Sequence, residues 1–151
     1  MKRIVIAGLL LVSTCLSSWA QQSSPQGDPD HLFFLATEQF QTGEYAGSFR
    51  AIETWLEESR NPAYLEEASF IRAACAYELN RNETSVLLID FLTKYPASPY
   101  SERVSFLLGC CAMNAGQYND ALSFFRRCPE SSLQPDEQTE LRFRYAYISM
   151  G

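Results

Sequence analysis

Four X-Pro pairs, Asp28-Pro29, Asn61-Pro62, Ser98-Pro99 and Gln134-Pro135, divide the chain at steps of 33, 37 and 36 residues. Proline has a fixed φ and no backbone N–H, so it suits the first position of a helix, where that N–H would have no intrahelical partner. Asp28, Asn61 and Ser98 add side-chain oxygens that can accept from the free N–H groups of a helix start, whereas Gln134 is a poor cap. Gly43-Glu44-Tyr45 and Gly116-Gln117-Tyr118 stand 73 residues apart, two such steps. Glycine most easily takes the left-handed conformation that closes a helix. A period near 35 residues, opened by a helix start and split by a turn, restricts the chain to stacked helical hairpins. One hairpin cannot bury its own apolar face, so neighbours complete the core and about three are needed for stability.

The expected fold is therefore all-α, a short right-handed α-solenoid of helix-turn-helix hairpins. From Asp30 onward the apolar residues fall at helical spacing, with no strict alternation of the kind that marks a strand. The first hairpin is expected over about 30–60, turning at Thr42-Gly43. The second covers about 62–96, with helices from Pro62 to Leu79 and from Glu83 to Lys94 joined by Asn80-Arg81-Asn82, asparagine being the next best turn residue after glycine. The third covers about 98–133, with helices from Pro99 to Ala115 and from Tyr118 to Arg127. A partial fourth unit runs from Pro135 to Gly151, which aligns with Gly116. The single helix there is either a cap over the third hairpin or the start of a longer array. Leu141-Arg142-Phe143-Arg144-Tyr145-Ala146-Tyr147-Ile148 is apolar around much of its circumference, whereas a cap should be polar outside, and this favours the longer array.

Lys2 and Arg3, the apolar run Ile4–Val12 and the small-x-small ending Ser18-Trp19-Ala20 make residues 1–20 a secretory signal with cleavage before Gln21. The alternative is a lipoprotein anchored through Cys15, for which Thr14 is an awkward preceding residue, and only that reading brings a membrane into play. Residues 21–29 read as a flexible polar leader. Removing 1–20 takes two cations and no anion, so the formal charge moves from −6 to −8, which argues against nucleic acid as a partner. Cys75, Cys110, Cys111 and Cys128 lie in apolar helical patterns and read as buried free thiols. The alternative is a staple between Cys75 and Cys110, at matching positions of neighbouring helices. Packed helix axes lie about 8–10 Å apart, while disulfide Cα atoms come within about 7 Å, so that bond is disfavoured.

Residues 98–128 resemble a tetratricopeptide repeat. Leu108-Gly109 is similar to that family's Leu-Gly pair on the first helix, and Gly116-x-Tyr118-x-x-Ala121-x-x-x-Phe125 to its turn and second helix. The first unit keeps Gly43-x-Tyr45 but has Ser48 and Ile52 at the later positions. The second keeps Ala74 and Tyr77, with a turn one residue short. The resemblance makes Gly43, Tyr45, Ala74, Leu108, Gly109, Gly116, Tyr118, Ala121 and Phe125 repeat-packing residues. The junction Lys94-Tyr95-Pro96-Ala97-Ser98-Pro99-Tyr100 resembles bacterial cell-envelope members of the family, including outer-membrane assembly lipoproteins and the periplasmic partner of the Tol-Pal system.

What the resemblance implies is a non-catalytic adaptor that binds a protein or peptide segment in a concave groove, in the periplasm or outside the cell. Carried onto this chain, the groove positions are Asp30, Phe33, Thr37, Phe40 and Gln41, then Ala68, Ile71, Cys75, Glu78 and Leu79. They continue as Arg103, Phe106, Cys110, Met113 and Asn114, and as Gln138, Leu141, Tyr145, Ile148 and Ser149. Packing between adjacent repeats is the competing role for several of them. A small enzyme or ligand-binding helical protein is the alternative of a different class. It would need a convergent polar constellation, yet His31 is the only histidine and sits at a helix start, and no phosphate-binding glycine loop or cofactor or metal motif is present.

Overall fold

Residues 27–150 are described by the computed structural model; residues 1–20, Cys15 among them, most of the leader 21–29, and Gly151 lie outside the described residues. Within 27–150 the chain forms seven α-helices and no strand. They are α1 (His31–Gln41), α2 (Tyr45–Glu58), α3 (Leu65–Glu78), α4 (Thr84–Lys94), α5 (Ser101–Asn114), α6 (Tyr118–Phe125) and α7 (Pro135–Met150), with a 3₁₀ turn over Glu130–Ser132. From α1 to α6 each helix packs on the next in sequence; α1 also touches α3, α3 touches α5, and α7 rests on α6 and on the 3₁₀ turn.

The three helix-to-helix turns share one geometry. Gly43, Asn80 and Gly116 sit in the left-handed region at φ +80°, +51° and +75°. In each, the following residue's N–H returns to a carbonyl in the last turn: Glu44 to Gln39 at 2.8 Å, Arg81 to Ala76 at 3.0 Å, Gln117 to Ala112 at 2.8 Å. The left-handed residue itself donates to Phe40, Tyr77 or Met113 at 2.9–3.2 Å. These paired bonds satisfy carbonyls that a helix end would otherwise leave free. Asn80→Ala should lower stability by about 1 kcal/mol because a β-carbon is strained there without asparagine's local polar compensation, while Asn80→Gly should hold or raise the melting temperature. Thermal unfolding of the two variants side by side checks the sign.

The X-Pro pairs do a different job from the one their sequence suggests. Only Pro135 is a first helical residue. Pro62 and Pro99 precede α3 and α5 by a turn. Asp28 Oδ1, Asn61 Oδ1 and Ser98 Oγ each accept from the N–H two residues on, in Asp30, Ala63 and Tyr100, at 2.9, 3.2 and 3.1 Å. The side chains thus cap a tight turn ahead of the helix rather than the helix itself. At Gln134 the direction reverses: Glu137 Oε2 accepts its N–H at 3.0 Å, one half of a capping box. Helix α6 stops at Phe125 instead of Arg127, in keeping with Pro129, which drives Cys128 away from helical backbone. The acidic pair Glu66-Glu67 occupies the first turn of α3, where the helix dipole favours carboxylates.

Counting from the left-handed residue exposes a common frame. Phe33, Phe70 and Phe106 lie ten residues before it, and Ala36, Ala73 and Gly109 seven before it; all six are buried. After it come Ser48, Thr84 and Ala121, then Ile52, Leu88 and Phe125, then Trp55, Phe91 and Cys128, again all buried, with the second unit one residue shorter. The apolar side chains at these positions join one core that runs from Phe33 to Leu141. Gly109 gives the closest helix contact, since an added β-carbon would lie 2.5 Å from Phe125 Cδ1.

Candidate functional site

The face expected to bind a partner is made by the first helix of each unit and by α7. Eight of the twenty positions assigned to it belong to the interior instead: Asp30, Phe33, Ala68, Ile71, Cys75, Phe106, Cys110 and Leu141. Phe33, Ile71, Phe106 and Leu141 are 3%, 2%, 1% and 2% exposed. Phe33 stacks on the Tyr64 ring at 4.5 Å and leans on Trp55 at 5.4 Å; Phe106 lies 6.1 Å from Phe125. The reason is helical geometry. A short unit must bury two adjacent stripes of its first helix, one against its own second helix and one against the next unit, and these aromatics serve that packing.

Thr37, Phe40, Arg103, Met113 and Tyr145 remain half-buried, and Asn114 is exposed. Thr37 donates its hydroxyl to the Phe33 carbonyl at 2.9 Å. The Phe40 ring presents an edge arrangement to Tyr45 and to Phe70, each at 5.9 Å. Arg103 Nε donates to Glu137 Oε1 at 2.7 Å, and its guanidinium lies 5.7 Å from the Phe70 ring. Asn114 Oδ1 accepts from Arg144 Nη1 at 3.3 Å, and Arg144 Nε donates to Glu140 Oε1 at 2.8 Å. Tyr145 leans on Phe125 at 5.6 Å. Helix α7 is therefore tied along α5 by two side-chain bridges, Arg103–Glu137 and Arg144–Asn114.

Sequence reasoning missed Tyr77 and the electrostatic role of Glu78. Measured from Asn80, the second unit places Phe70, Tyr77 and Glu78 where the third places Phe106, Met113 and Asn114; the positions carried over from the resemblance stand one residue later, at Ile71, Glu78 and Leu79. The turn asparagine, used as the origin, would have given the right frame. Burial pushes the Tyr77 phenol well above the ordinary tyrosine range. Burial also raises the Glu78 carboxyl above its usual value, with Arg103 opposing and Glu137, Glu140 and Asp136 adding to the rise. The face is thus a mixed one, with Phe40, Met113 and Tyr145 beside two arginines and a group of carboxylates. It can seat apolar side chains and exchange hydrogen bonds with a peptide.

Of the packing residues, Gly43 and Gly116 make turns and Ala74, Leu108, Gly109, Ala121 and Phe125 are buried. Tyr45 is half-buried on Phe40. Tyr118, expected to fill space between its two helices, is 44% exposed and lies 6.4 Å from Tyr147 of α7. Cys75, Cys110, Cys111 and Cys128 are all free thiols, and the Cys75–Cys110 staple is not formed. Burial pushes each of them up, Cys110 to about 12, so they are protonated and weak nucleophiles at neutral pH. Among the described residues no group of three or more His, Cys, Asp and Glu could hold a metal ion, and no helix is long and apolar enough to cross a membrane. His31 has its Nδ1 3.0 Å from the Asp28 carbonyl, at the start of α1. Compared with protein-family models, with curated proteins and with solved structures, the chain has no match.

Proposed function

We propose that this protein is a non-catalytic interaction scaffold, a short stack of tetratricopeptide-like hairpins that holds a partner protein segment along the face of α1, α3, α5 and α7. The observation that carries the reading is the recurrence of one left-handed turn at Gly43, Asn80 and Gly116, with the same buried positions before and after it. Equivalent hairpins in series extend a surface without enclosing a reaction chamber, and extended surfaces suit peptide recognition. Export through residues 1–20 belongs to the same proposal and would put the scaffold in the cell envelope or outside the cell.

The face is tested with the residues that stay accessible on it. A photo-crosslinking residue at Thr37 or at Met113 should capture the same partner from the native envelope, and one at Glu57, on α2, should not. Thr37→Arg and Asn114→Arg should each cut the crosslinked yield by about tenfold while circular dichroism stays unchanged, since a new charge in a partner contact costs a kcal/mol or more. Equal yields from the folded variants would remove the face from the argument.

A further inference from the structure

A second surface lies away from the first-helix face. Helices α2, α3 and α4 enclose a half-open cleft of about 430 Å³, within the range of ligand-sized sites. Leu56, Leu65 and Phe91 supply apolar wall. Arg60, Arg72 and Lys94 also line it, a concentration of cations that stands out in a chain whose formal charge is −6. Glu53 neutralises Arg72 through an ion pair of 2.6 Å. Among the described residues Arg60 and Lys94 form no ion pair.

Arg60 carries a second signal. It follows the end of α2 with φ +51°, in the left-handed region. The other left-handed positions among the described residues hold Gly43, Asn80 and Gly116, the residue types that bear this conformation with little strain. An arginine is an unfavourable choice there on backbone grounds alone. Its Nε donates to the Leu56 carbonyl at 2.7 Å, which holds the side chain against the α2 wall and leaves both Nη groups available. Backbone strain kept alongside a positioned charge points to use of that charge.

We propose that this cleft binds an acidic peptide segment of a partner protein, its carboxylate between Arg60 and Lys94 and a neighbouring apolar side chain against Leu56, Leu65 and Phe91. Asp90 and Ser69 on the walls favour a peptide over an acyl chain. A peptide main chain offers N–H groups to Asp90, whereas an acyl chain has nothing to donate and would bury that carboxylate unpaired. The site goes beyond the scaffold reading, because the residues of α2, α3 and α4 that line it are none of the groove positions.

The test is selection of a displayed random hexapeptide library on the full chain, followed by synthesis of the enriched peptides. The expected result is enrichment of Asp or Glu beside Leu, Ile or Phe, with affinity falling as salt is raised. Arg60→Gly and Lys94→Gln should each weaken a selected peptide by about tenfold, the worth of one charge-assisted contact. Arg60→Gly should do so with a melting temperature equal to or above the parent's, which a merely structural arginine would not give. Selected peptides without acidic residues, or binding unchanged in both variants, overturn the proposal. So does a library that yields nothing while dodecanoate binds with the same dependence on Arg60 and Lys94, which would give the cleft to anionic lipids. Acidic peptides that respond to Asn114→Arg instead belong to the first-helix face, and then the cleft fails while the scaffold reading stands.

Discussion

Trp55→Ala is expected to destabilise the protein by about 3–5 kcal/mol, the range for deleting a large buried aromatic. Trp55 is 0% exposed, with its ring 5.4 Å from Phe33 and 6.5 Å from Tyr64. It therefore fills the meeting point of α1, α2 and the turn that leads into α3, and none of these can close the gap without moving the others. Its Nε1 also donates to Asp30 Oδ1 at 2.9 Å, beside Ser59 Oγ at 2.9 Å and Asn61 Nδ2 at 2.6 Å on the same carboxylate. Asp30 was read from sequence as a groove residue; it is a buried junction between the first hairpin and the second.

The same substitution has an acid-side signature. The Asn61 amide holds the Asp30 carboxyl below its ordinary value of 3.8; burial opposes this, and Trp55 and Ser59 add to the lowering. A carboxylate with a depressed folded-state value contributes stability that is present above the ordinary value and is lost as the pH falls through the folded one. Trp55→Ala removes one of the donors, so its stability should fall less steeply than the parent's as the pH drops below the ordinary value of 3.8. Urea unfolding of both proteins across that window reads both effects. A loss below about 1 kcal/mol at neutral pH would mean that the junction relaxes around the missing ring.

Gly109→Ala is the second large effect, with an expected loss of about 1–3 kcal/mol from overpacking. The added methyl would meet Phe125 at Cδ1, 2.5 Å away, and Cε1 still closer. A ring at the end of a mobile side chain could swing aside, but Phe125 is 1% exposed and walled by Phe106 and Tyr145. The helices α5 and α6 must then move apart or the ring must leave its rotamer. Gly116→Ala is the contrast, since nothing lies within 4 Å of its β-carbon and only the strain of φ +75° remains. Combining Gly109→Ala with Phe125→Leu should recover part of the loss, and a double-mutant cycle by urea unfolding measures that coupling directly. Additive losses would place the cost of Gly109→Ala somewhere other than against Phe125.

The helices and their turns were readable because their signals are local. Gly43, Gly116 and the asparagine at position 80 announce a backbone conformation that few other residues adopt, and that conformation needs only the neighbouring turn. The X-Pro pairs were read one step too simply, because proline is compatible both with a helix start and with the turn before one. Asn61 and Ser98 chose the turn, since their side chains reach the N–H two residues on. The face was legible only in part. Thr37, Phe40, Arg103, Met113, Asn114 and Tyr145 stay accessible there, but Phe33, Ile71, Phe106 and Leu141 are apolar residues on a helix flanked by two neighbours. Which apolar stripe is covered depends on how closely those neighbours approach, and periodicity does not encode that distance.

From the order of its residues alone the chain determined that it is all-helical, where its hairpins turn, and that a unit near 35 residues recurs. Those properties rest on backbone preferences and spacings that act within a turn or two. Tertiary structure decided the rest: that Asp30 is a junction, that Tyr77 and Glu78 join the mixed face, and that Arg60 and Lys94 share one cleft although 34 residues separate them. Contacts of that kind arise when helices of different units come side by side, and the angle and distance at which they pack follow from side chains far apart in the chain.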